Sequence, residues 1–182
     1  MRRGGAWAAT LAAVVAWCAC SGPTPAEIQQ ESARLRKAIE QHLPEYRKSV
    51  EEENRLIPAT LAWLRAEAVT APRSTAASAA RLWMDRWAKV YFVPRYMHEL
   101  RRGDEYRTAP AREVQRRILA HLKERYFELH DYQRYAQHAS ESGMHNTPAG
   151  RLPAPLEEFQ RRLEARARAR DEITPLLASL PD

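Results

Sequence analysis

From Pro25 onward the apolar residues recur at three, four or seven positions, the spacing of one buried face on a helix rather than of an alternating strand. The first stripe is Ile28, Leu35, Ile39, Leu43, Tyr46, Val50, Ile57, Leu61 and Leu64. It predicts a long helix entered through Thr24-Pro25-Ala26-Glu27, where the threonine and glutamate have capping-box spacing, and ending near Ala68. Pro44 and Pro58 fall within it. Each removes a backbone donor and crowds the preceding turn, so the helix is expected to be kinked or segmented.

Three more stripes follow. Ser74, an expected N-cap, opens a helix to about Arg102 with Ala76, Ala80, Trp83, Trp87 and Tyr91 on its inner face, ended by Gly103-Asp104. Thr108 and Pro110 open a third, carrying Val114, Ile118, Leu122, Tyr126, Leu129, Tyr132, Ala136 and Ala139, with Gly143 as its stop. The fourth runs from Pro155 with Leu156, Phe159, Leu163, Ala167, Ile173, Leu177 and Leu180 inward and Pro175 disturbing its last turns. Four amphipathic helices joined by short links predict an all-α fold, an antiparallel up-down-up-down four-helix bundle whose long first helix is kinked. The stripes share no motif beyond the helical period, so no solenoid repeat is predicted.

The residues ahead of the first stripe follow a different pattern. Arg2 and Arg3 are followed by an apolar run from Ala6 to Trp17 and then by small residues, the order of an export signal. The run is too short for a hydrocarbon core that needs about 20 apolar residues. Its end, Val15-Ala16-Trp17-Cys18-Ala19-Cys20-Ser21-Gly22, resembles the lipobox of bacterial lipoproteins. Cys20 fits that pattern better than Cys18, because small Ala19 precedes it whereas bulky Trp17 precedes Cys18. The resemblance implies a cleaved signal peptide over residues 1–19, lipid on Cys20, a soft tether over residues 20–25 and a single helical domain over residues 26–182. Ser21, where aspartate is absent, resembles the pattern sent on to the outer membrane, facing the periplasm. The alternative is an ordinary cleaved signal and a soluble periplasmic protein.

Charge and chemistry narrow the function only by exclusion. The formal net charge is +6, two units of which leave with Arg2 and Arg3, and Lys37, Lys48, Lys89 and Lys123 are the only lysines. So mild a basic balance, in an exported chain, does not predict a nucleic-acid partner. With Cys18 removed and Cys20 acylated, no thiol remains for a disulfide or a nucleophile. The histidines (His42, His98, His121, His130, His138, His145) lack the three- or four-residue spacing that aims two metal ligands to one side of a helix. Met97 with His98, or Met144 with His145, offers candidate haem ligands, but no Cys-x-x-Cys-His occurs. Neither a nucleophile elbow around a serine nor a glycine-rich phosphate loop is present. No cofactor and no catalytic residue are therefore assigned.

Two surface features stand out. Arg161, Arg162, Arg166, Arg168 and Arg170 crowd the fourth helix among Glu164, Asp171 and Glu172, which reads first as a solvated face of local ion pairs and second as a binding face for an acidic partner. Around Trp83, Trp87, Phe92 and Tyr96 the chain is unusually aromatic. Trp83, Trp87 and Tyr91 share one row, while Phe92 and Tyr96 form another, and Pro94 frees the carbonyl of Val90, predicting a kink with an exposed polar group. Aromatics and arginines of this kind dominate protein-binding hot spots. The expected function is a lipid-anchored envelope lipoprotein that binds or scaffolds another envelope protein without catalysis. The alternative is a bundle that carries or senses haem, a metal or a small apolar ligand.

Overall fold

In the computed structural model the described residues are 22–141, 150–166 and 168–182, and every regular element among them is a helix. The signal, Cys20 and the tether up to Ser21 lie outside the described residues, as do Gly143, Met144, His145 and Ala167. The helices are α1 (Pro25–Glu40), α2 (Leu43–Arg65), α3 (Glu67–Thr70), α4 (Arg73–Arg101), α5 (Ala109–Glu141), α6 (Ala154–Ala165) and α7 (Ile173–Ala178). No helix among the described residues is long and apolar enough to cross a membrane. They pack as a helical bundle.

The capping box at Thr24 forms as its spacing requires: Glu27 N–H donates to Thr24 Oγ1 at 3.3 Å, and Thr24 N–H donates to Glu27 Oε2 at 2.7 Å. The break in the first long stripe falls at Gln41–His42, ahead of Pro44. That places Pro44 in the first turn of α2, where the N–H it lacks would have had no helical acceptor. Pro58 is carried inside α2. Ser74 is not an N-cap: α4 starts at Arg73, after Pro72, and the Ser74 carbonyl instead accepts from the Ser78 hydroxyl at 3.0 Å.

α4 and α5 form the most extensive helix pair. Gln115 reaches back to the carbonyls of Arg101 (3.2 Å) and Asp104 (2.6 Å), and Trp87 meets Tyr132 with ring centroids 5.0 Å apart. The turn between them is pinned from α1, because the Glu31 carboxylate accepts from the N–H groups of Arg107 (2.9 Å) and Thr108 (2.7 Å). α2 lies against α4, with Trp63 near Trp83 and Trp87 Nε1 donating to Thr60 Oγ1 at 3.3 Å.

α4 runs through Pro94 as one helix, and the carbonyl freed there is paired differently from the sequence expectation. Pro94 is buried, and the carbonyl of Val90 that it leaves without a helical donor accepts a buried hydrogen bond from Ser49 Oγ of α2 at 3.0 Å. The freed group therefore faces inward. The fourth predicted helix is also divided: α6 ends at Ala165, residues 168–172 have no helical hydrogen bonding, and α7 begins at Ile173.

Candidate functional site

The interior consists of two apolar clusters with a charged layer between them. One gathers Leu56, Leu64, Trp83, Trp87, Leu129, Tyr132, Phe159 and Leu163. The other gathers Leu35, Ile39, Val50, Met97, Ile118, Leu122, Ile173 and Leu177. At the boundary the helical spacing places Glu53 between Val50 and Leu56, Arg125 between Leu122 and Leu129, and Arg166 just after Leu163.

The side chains of Glu53 and Arg125 are 0% and 3% exposed, and they are ion-paired to each other. Arg166 Nε lies 2.6 Å from the second Glu53 oxygen, and the same guanidinium pairs with Glu128. Tyr132 OH donates to Glu128 Oε1 at 2.6 Å. Two carboxylates and two guanidiniums thus neutralise one another in a place where a lone charge would be costly. Burial pushes the Glu53 carboxyl above the usual carboxylate range against the pull of Arg125 and Arg166, and burial likewise raises the phenols of Tyr46 and Tyr132.

At the rim of this layer His121 is held at both ring nitrogens, with Nε2 2.7 Å from Tyr46 OH and Nδ1 3.2 Å from Glu172 Oε2. The carboxylate beside Nδ1 favours a proton on that nitrogen, which leaves Nε2 to accept from the tyrosine. Burial lowers the His121 pKa more than Glu172 raises it. A groove of about 450 Å³ runs past it, lined by residues that include Glu124, Arg168, Arg170 and Glu172. A histidine with a carboxylate behind it is the geometry of a general base, but here Nε2 points to the wholly buried Tyr46 rather than into the groove. Among the described residues no three His, Cys, Asp or Glu side chains converge as metal ligands. Met97 is fully buried in the second cluster, whereas His98 packs on Tyr126 of α5, so the two do not share one pocket.

The residues singled out in the sequence divide between interior and surface. Trp83 and Trp87 are core residues, 9% and 0% exposed, and Trp87 is enclosed by Tyr132 and Phe159, so neither belongs to an outer face. Phe92 and Tyr96 are exposed and stacked with centroids 6.1 Å apart, and Leu100 continues their row. Arg161 and Arg162 are held by Glu158, Arg162 also reaching Asp131 at 3.0 Å, in the manner of a solvated, ion-paired face. Arg166 differs from them, because helical spacing from Leu163 turns it into the charged layer. Arg168 and Arg170 are exposed. Arg125 and Asn54, which help organise the middle of the bundle, were not among the residues chosen from sequence. Glu53, which in the run Glu51-Glu52-Glu53 reads from sequence as part of a solvated face, is instead wholly buried.

Compared with family models, curated proteins and solved structures, the chain matches none.

Proposed function

We propose that the chain is a membrane-anchored envelope lipoprotein, acylated on Cys20 and acting as a non-catalytic module that binds or scaffolds another envelope protein. In this reading residues 1–19 are the removed signal, residues 26–182 form one domain, and the lipid holds it on the outer membrane facing the periplasm. The helices form four passes in up-down-up-down order, the first made of α1 and α2 and the last of α6 and α7. Reciprocal pairing supports this order: Ser49 with Val90 and Thr60 with Trp87 run in opposite senses, as do Arg101 with Gln115 and Trp87 with Tyr132.

The observation that carries the binding role is the stacked Phe92–Tyr96 pair, exposed on α4 with Leu100 one turn beyond. Aromatic surface of this kind is preferred at the centre of protein interfaces. A pull-down from detergent-solubilised envelopes tests it, comparing wild type with a Phe92→Ser/Tyr96→Ser variant. A defined envelope protein retained by wild type and lost by the variant is expected; an identical set from both rejects the surface. The anchor is tested separately, by fatty-acid labelling that Cys20→Ala abolishes.

A further inference from the structure

The stretch from Leu156 to Thr174 contains neither glycine nor proline and is rich in alanine, arginine, glutamate and leucine, all good helix formers. The helix nevertheless stops at Ala165, and Arg168–Glu172 crosses the groove between α2 and α5 without helical hydrogen bonds. Side chains of the neighbouring helices hold it there. Asn54 takes both backbone groups of Ala169, donating from Nδ2 to its carbonyl at 3.1 Å and accepting from its N–H at 2.9 Å. Arg47 Nε holds Asp171 at 3.0 Å, and His121 holds Glu172. Asp171 in turn accepts from the N–H groups of Ile173 and Thr174, both at 3.1 Å, and so starts α7.

Two geometric facts set this segment against its own propensity. Glu172 already has helical backbone angles (φ −92°, ψ −10°), so coiling would shorten the other four residues by about 7 Å, from about 3.3 Å to about 1.5 Å per residue, and α7 would leave the second cluster, where Ile173 and Leu177 are buried. Coiling would also bring Arg170, seven positions after Leu163, on to the apolar face of α6, whereas the extended form buries Ala169 and leaves Arg170 in solvent. The extended form is therefore the ground state. It is held against the local preference by tertiary contacts, chiefly those of Asn54.

We propose that Arg168–Glu172 is a releasable strap with a second, helical state, in which it leaves Asn54, coils on to the end of α6 and lifts α7 from its seat on α5. Such a two-state element makes α7 a separately opening unit of the bundle.

Amide hydrogen exchange on the full mature protein tests this. Asn54→Ala removes the grip on Ala169 and is expected to speed exchange at Leu177 and Leu180 about tenfold, while Leu122 and Leu129 of α5 keep their wild-type rates. Adding Arg170→Pro separates coiling from fraying. Proline is excluded from a helix interior and keeps the preceding Ala169 extended, so the double variant should return α7 to near its wild-type rate. The proposal is overturned if the double variant exchanges as fast as Asn54→Ala alone, since α7 would then be fraying. It is equally overturned if Asn54→Ala leaves α7 unchanged or speeds α5 by the same factor.

Discussion

Ser49 and Val90 stand on different helices, and the serine hydroxyl supplies to the valine carbonyl the hydrogen bond that Pro94 cannot give. An acceptor freed by proline inside a packed helix pair must be paired or pay its desolvation. Ser49→Ala would leave that carbonyl buried and unpaired, a loss of about 1–3 kcal/mol. Urea unfolding should show it, and in a Pro94→Ala background, where the backbone donor is restored, the loss should be much smaller. Equal losses in both backgrounds would mean that the hydroxyl does not serve the freed carbonyl.

Removing one member of the charged layer should cost more than removing a matched pair. Arg125→Met leaves the buried Glu53 with Arg166 as its remaining cation and its Oε2 unpaired, and breaking a buried pair costs up to about 3–5 kcal/mol. Glu53→Leu strands Arg125, whose other close neighbour is the Tyr46 ring, 5.6 Å from the guanidinium carbon. The double variant strands neither, because Arg166 retains Glu128. Denaturant midpoints should therefore place Glu53→Leu/Arg125→Met above both single variants.

Acidification should loosen the bundle through His121. Its folded pKa lies below the ordinary 6.5, burial being the main cause, with Arg125 and Arg166 acting in the same direction and Glu172 and Glu124 opposing. The unfolded chain then takes up its proton first. Stability from this group is complete above about pH 6.5 and declines as pH falls from there through the folded value. Melting temperatures across that interval should show the slope, and His121→Gln should flatten it. A slope unchanged in the variant would assign the effect to another group.

The aromatic residues of α4 should separate by depth. Trp87→Ala opens a cavity at a fully buried site and removes the bond to Thr60, and is expected to cost about 3–5 kcal/mol. Phe92→Ala, at an exposed position, should stay within about 0.5 kcal/mol of wild type. Thermal melts decide between them, and only the second variant is suitable for measuring a partner.

The stripe on α5 was legible but for one residue: Val114, Ile118, Leu122, Leu129, Tyr132, Ala136 and Ala139 are buried, whereas Tyr126 is only half-buried. A reading that credits apolar positions alone passes over Arg125, although it falls three residues after Leu122 and four before Leu129. Glu53 is in the same position, three after Val50 and four before Ile57, and Arg166 follows Leu163 by three. Opposite charges on facing stripes were the available signal for the layer. The strap was not legible, because its residues favour the helix that Asn54, Arg47 and His121 prevent. Nor was the pairing at Val90, since the proline marks the orphaned carbonyl but not the distant serine that reaches it.

Apolar surfaces are tolerant of sliding, because one leucine fits another's place at little cost. The charged layer removes that tolerance. A displacement of α5 along α2 by one turn, about 5.4 Å, would carry Arg125 away from Glu53 and set it among aliphatic side chains. Glu53 and Arg125 thus act as an index mark between helices, fixing which turn of one meets which turn of the next.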